Sequence, residues 1–126
     1  FEVAYRYAHK RVQFGKPLYS FEGISFKISE MFMDIELNRI AIAQIARMLD
    51  DGHYCRSSVA AVKARIADAT VKITQDAIQV VGGLGYSEEY PLKRYYRDAK
   101  IGQISAGTAE IMRYIITREM IRMWGK

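Results

Sequence analysis

With 126 residues, half of them hydrophobic, the chain is long enough to bury a core of its own and short enough to be one domain. Its formal net charge of +5 comes from bases interleaved with acids (Asp34, Glu36, Arg39; Asp68, Lys72, Asp76), which argues for solvated helix faces and against a nucleic-acid-binding run. The lone Cys55 excludes an internal disulfide and suits a reducing compartment, and no apolar run reaches membrane-spanning length or reads as a signal peptide.

Only two prolines interrupt a composition rich in Ala, Ile, Met, Glu, Lys and Arg, so the expected fold is all-α. Residues 1–14 read as the end of a helix, with Phe1, Ala4, Tyr5, Ala8 and Val12 on one stripe; Gly15 and Pro17 stop it. Because the first residues already look helical, the chain is expected to be a fragment of a longer protein whose first helix begins upstream.

A second helix is predicted over residues 21–50, capped by Ser20. Ile24, Ile28, Met31, Ile35, Ile42, Ile45 and Leu49 form its seam, and Met31, Met33 and Met48 serve as core filler. His53, Tyr54 and Cys55 follow in a loop, and with no second Cys and only His9 besides, metal binding is not expected. The third helix, residues 57–81, carries Val59, Val62, Ile66, Ala69, Ile73 and Val80 at heptad-like spacing. Ala60, Ala64, Ala67 and Ala77 flank that seam and permit close helix approach.

Gly82, Gly83 and Gly85 end the third helix. No strand precedes them, so they are no dinucleotide fingerprint, although residues without Cβ also let a backbone or cofactor come close. Pro91 opens a short helix to about Lys100, with Tyr90, Tyr95 and Tyr96 bracing the bundle. Ser105, Ala106, Gly107 and Thr108 then form a small-residue turn. Thr108 caps a last helix, residues 109–124, which buries Ile111, Met112, Ile115 and Ile116 and displays Arg113, Arg118 and Arg122. Such a helix start leaves N–H groups for a phosphate or a carbonyl oxygen, or is an ordinary capped terminus.

Three separated stretches, RVQFGKPL from Arg11, QVVGGLGYSEEYP from Gln79 and RDAKIGQISAGTAEIMR from Arg97, occur in this order at whole-helix intervals. Together they resemble the C-terminal helical domain of the acyl-CoA dehydrogenase family, over nearly the whole chain. The resemblance implies an up-and-down four-helix bundle and an FAD-dependent α,β-dehydrogenation of an acyl-CoA thioester. It also implies an electron-accepting flavoprotein partner and a homodimer or homotetramer in the cytoplasm or, in a eukaryote, the mitochondrial matrix.

By the same resemblance, Arg11, Phe14, Gln79, Val80, Val81, Gly82 and Gly83 reach a flavin held chiefly by the neighbouring subunit. Thr108 and Glu110 touch the flavin of their own subunit, and Gly107 lines the acyl-CoA site. Glu22 stands where the family often places a Gln, and an acid there repels a pyrophosphate.

Most of the family carries a catalytic Glu at the place of Ala106, after an aromatic where this chain has Ser105. A methyl group takes no proton. A minority, the isovaleryl and long-chain type enzymes, pairs a small residue at this turn with a Glu on the preceding helix, a place that lies before Phe1. Loss of the Glu also suits a flavin enzyme of the same fold with monooxygenase-like or nitroalkane-oxidase-like chemistry, or a non-catalytic oligomerisation module.

Overall fold

The computed structural model describes residues 1–125. Its elements are α1 (Glu2–Lys10), the two-residue strands β1 (Val12–Gln13) and β2 (Lys16–Pro17), and a 3₁₀ turn at Leu18–Ser20. There follow α2 (Glu22–Asp50), α3 (Arg56–Val81), a single turn α4 (Gly83–Tyr86), α5 (Leu92–Gly102) and α6 (Ala109–Trp124). The all-α class is as expected.

Every other helix packs on α3. Ala60, Ala64, Ala67, Ala69 and Ala77 of α3 are all buried, and they, more than the larger Val59 and Val62, form its seam. A side chain of one carbon lets a neighbouring helix approach closely, so a single central helix has room for α1, α2, α5 and α6 around it. The main core gathers at the C-terminal end of α3, where Val80 and Val81 meet Ala4 and Ala8 of α1, Met31 of α2 and Leu92 of α5. Charge reinforces the α2–α3 contact: Lys27 bonds Asp76 at 2.9 Å, and Lys72 reaches Glu30 at 3.0 Å and Asp34 at 3.5 Å.

Several local expectations are corrected. The first helix stops at Lys10, because Phe14 and Gly15 adopt φ of +50° and +77° and turn the chain into a small hairpin that pairs Val12 with Pro17 and Gln13 with Lys16. Val12 is exposed in consequence; within α1 Tyr5 is exposed as well, and Tyr7 takes the inward place. Ser20 ends the 3₁₀ turn, so Phe21 holds the N-cap position of α2 without a side-chain cap. Gly82, with φ of +72°, does end α3, but the chain resumes at once as α4. Pro91 stands just before α5 and not inside it.

The seam residues of α2 do not share one fate. Met31 is fully buried, whereas Ile42 and Leu49 are more than half exposed, as is Met33, expected as core filler, because the spacing names a face of α2 that its neighbours cover only in part. Ile111 of α6 is likewise half exposed, and Met112, Ile115 and Ile116 lie partly buried. Tyr95 and Tyr96 face solvent in part, while Tyr90 packs edge-on against Tyr7 at 6.1 Å.

Close approach at the seam makes α3 intolerant of bulk. Ala77→Leu should cost about 1–3 kcal/mol of stability, whereas Ala61→Leu, at an exposed position of the same helix, should stay within about 0.5 kcal/mol. Urea unfolding of the two variants checks this.

Candidate functional site

The turn between α5 and α6 combines an unusual backbone with side-chain hydrogen bonds from α3. Ala106 and Gly107 both lie in the left-handed region, at φ of +52° and +90°. That conformation costs an alanine about 1–2 kcal/mol, so neighbours must hold it. At Gly107 the φ of +90° is what calls for glycine, since the only close neighbour of an added Cβ, the Met112 methyl at 2.5 Å, ends a flexible side chain that can give way.

Two residues of α3 supply the hold. Lys63 Nζ donates to the carbonyl oxygens of Gly102 at 2.9 Å, Ser105 at 3.1 Å and Gly107 at 2.6 Å. The ammonium thereby satisfies the C-terminal end of α5 and both flanks of the turn, where the helix dipole favours a cation. Asp68 accepts from Gln103 Nε2 and from Arg113, each at 2.8 Å, and Arg113 also donates to the Ala109 carbonyl at 3.0 Å. Partial burial pushes the Asp68 carboxyl up. Hydrogen bonds from Gln103 and Arg113 and the charges of Arg113 and Arg65 outweigh it, so Asp68 titrates below its ordinary 3.8.

Thr108 caps α6 as expected, its hydroxyl accepting from the Ile111 N–H at 3.2 Å. Glu110 is exposed, and its carboxyl is held below its usual range by its own backbone N–H and the Thr108 hydroxyl. The Ser105 N–H pairs with Ile101 and the Ala109 N–H with Gln103. Among the described residues, the N–H groups of Ala106, Gly107 and Thr108 find no acceptor of their own.

Two further places hold the other predicted site residues. Arg11 follows α1, exposed, with Gln13 accepting from its Nε at 3.1 Å once the Gln13 amide oxygen faces it. Phe14, at the tip of the hairpin, is 92% exposed and only edges Phe21. At the end of α3, Gln79, Gly82 and Gly83 are exposed with open space around both glycines, whereas Val80 and Val81 point into the core and offer a ligand only their backbone.

An apolar groove of about 640 Å³ runs from the C-terminal half of α2 to the turn, lined by Ile45, Leu49, Val62, Ile66, Ile101 and Ala106, with Lys63 at its edge. Sequence reasoning missed Lys63, although the signal was present: it falls four residues after Val59 and three before Ile66, a cation on an apolar stripe. It also missed Glu119, buried at 6% exposure, which accepts from Tyr54 Oη and from Arg122 Nε, each at 3.0 Å, and so ties the α2–α3 loop to α6.

A sequence model described as acyl-CoA dehydrogenase, C-terminal domain, matches residues 1–121. The chain belongs to this family. Among its relatives, the mitochondrial isovaleryl-CoA dehydrogenase of Oryza sativa subsp. japonica is 39% identical over 96% of this chain and 30% of that protein. The solved butyryl-CoA dehydrogenase of Megasphaera elsdenii superposes with a TM-score of 0.92 at 40% identity, covering 96% of this chain and 32% of that one. An FAD complex of PigA superposes with a TM-score of 0.91 at 30% identity, over 94% and 31% of the two chains. The chain spans about a third of the length of the curated relatives it matches.

In this acyl-CoA dehydrogenase C-terminal domain the Asp68 clamp should be pH-dependent. Because Asp68 titrates lower in the folded chain than its ordinary 3.8, its contribution is complete above that value and lost as pH falls through the lower folded one. Asp68→Asn should therefore lower stability by about 1 kcal/mol at neutral pH, a figure discounted for the exposure of Arg113, and by nothing in strong acid. Denaturant titrations of both proteins across that range read the difference.

Proposed function

We propose that the chain is the C-terminal helical domain of an FAD-dependent enzyme that introduces an α,β double bond into an acyl-CoA thioester and passes the electrons to a partner flavoprotein. The observation that carries the reading is the left-handed turn at Ala106 and Gly107, which leaves the N–H groups of Ala106, Gly107 and Thr108 without an acceptor among the described residues in a chain of this family. Unpaired donors held by a rigid frame suit a thioester carbonyl that gains negative charge as the α-proton leaves.

The exposed groups fit one edge of the cofactor. Arg11 offers a cation, Gln79 an amide, Gly82 and Gly83 bare backbone, and Phe14 an uncovered ring. That set suits the ADP half of an FAD held by a neighbouring subunit, with Val80 and Val81 contributing backbone alone. Thr108 and Glu110 would contact the flavin of their own subunit, and Gly107 would line the acyl-CoA site. Bound FAD would supply the acceptor for the hydride lost from the β-carbon. The exposed apolar residues of α2 are consistent with a homodimer or homotetramer.

Ala106 has no group to accept a proton, so the base comes from outside this turn. Its small side chain suits a carboxylate on the upstream part of the helix that ends as α1, as in the isovaleryl and long-chain type arrangement. Proton removal from the α-carbon is then assigned to that acid, and carbonyl polarisation to the turn's N–H groups.

Three outcomes are expected. The 126-residue chain alone should retain FAD weakly or not at all, because it supplies only edge contacts; a full complement of copurifying flavin absorbance would overturn this. In the full-length protein, Arg11→Ala should weaken FAD retention by about 1–3 kcal/mol, the scale of a charge-assisted hydrogen bond, measured by flavin release. Replacing the upstream Glu by Gln should abolish anaerobic flavin bleaching by acyl-CoA while sparing bound FAD. A full-length protein without an acid on that helix, and bleached by no acyl-CoA, would favour altered flavin chemistry or a scaffold.

A further inference from the structure

We propose that Lys63 is a positioning residue for the reaction assigned above, acting through the Ser105–Ala106 and Gly107–Thr108 peptide groups to aim their N–H groups at the substrate's carbonyl oxygen. The inference rests on that reading of the reaction.

Among the described residues every peptide bond is trans, and in a trans peptide the C=O and N–H vectors are antiparallel. Lys63 holds the Ser105 oxygen at 3.1 Å and the Gly107 oxygen at 2.6 Å. Each of those bonds therefore turns the other end of the same peptide, the Ala106 N–H or the Thr108 N–H, away from α3. Neither N–H has an acceptor among the described residues. One side chain on the most enclosed helix thus fixes the orientation of two free donors on the far side of the turn.

The third bond, to Gly102 at 2.9 Å, anchors the ammonium to the end of α5, so its position is set by two elements and not by the turn alone. A cation at a carbonyl oxygen also draws electron density from the amide and makes its N–H a stronger donor. Ala106 itself needs the hold, because at φ of +52° its backbone has more relaxed alternatives.

A residue that merely stabilises the fold would alter melting and flavin content but not the chemistry of each folded site. The test uses the full-length flavoprotein with Lys63→Met, and Lys63→Gln as a variant that keeps N–H donors should the first fail to fold. Two readouts are taken on protein with full FAD occupancy: the rate of anaerobic flavin bleaching at saturating acyl-CoA, and the infrared C=O stretch of a bound, ¹³C-labelled, non-reactive acyl-CoA thioester analogue. The expected results are a bleaching rate lower by on the order of 10² and a carbonyl stretch that moves back towards its value in water. A stretch and a rate both unchanged from wild type, whatever happens to melting temperature, overturn the role of Lys63. A wild-type protein that no acyl-CoA bleaches overturns instead the reading of the reaction, and the inference with it.

Discussion

Five buried alanines on α3 let four helices approach one another's backbones through a shared axis, and the rest of the molecule depends on that closeness. Larger residues at these places would hold α5 and α6 further out, beyond the reach of side chains from α3. Because the helices are close, Lys63 spans to three carbonyls beyond its own helix, and Asp68 spans to Gln103 and Arg113. Apolar packing and the polar clamp on the turn are therefore one device: the small residues set the distance, and the charged ones use it.

The turn shows how such a site stores strain. An alanine in the left-handed region persists only because its surroundings over-determine it, whereas Gly107 beside it adopts positive φ without strain. Satisfying carbonyls on one side of a peptide leaves its N–H for the other side, so a clamp facing α3 becomes a set of donors facing outwards. The same economy appears at the end of α3, where Val80 and Val81 turn inwards and Gly82 and Gly83 leave backbone uncovered.

The groove along α2 records a different constraint. Ile42 and Leu49 have the spacing of seam residues yet are more than half exposed, because the elements present in this chain cover only one side of a 29-residue helix. Exposed apolar area of this extent is costly to a lone domain and ordinary for a part of a larger assembly. It accords with a chain that spans about a third of its relatives' length.

The sequence by itself determined the helical class, the bounds of α2, α3 and α6 to within a residue, the Thr108 cap and, through three motifs in register, the family. These depend on local patterns: hydrophobic period, capping residues and breakers act over a few positions. Tertiary structure decided which apolar residues of α2 and α6 are covered, since periodicity names a face but not whether a neighbour lies against it. It decided the early end of α1, where the hairpin at Phe14 and Gly15 overrides a helical stripe that still includes Val12. It also brought Lys63 to Gly107 and Tyr54 to Glu119 across 44 and 65 residues of chain. No pattern in one segment encodes a bond to another that far away; it exists only once the helices have packed.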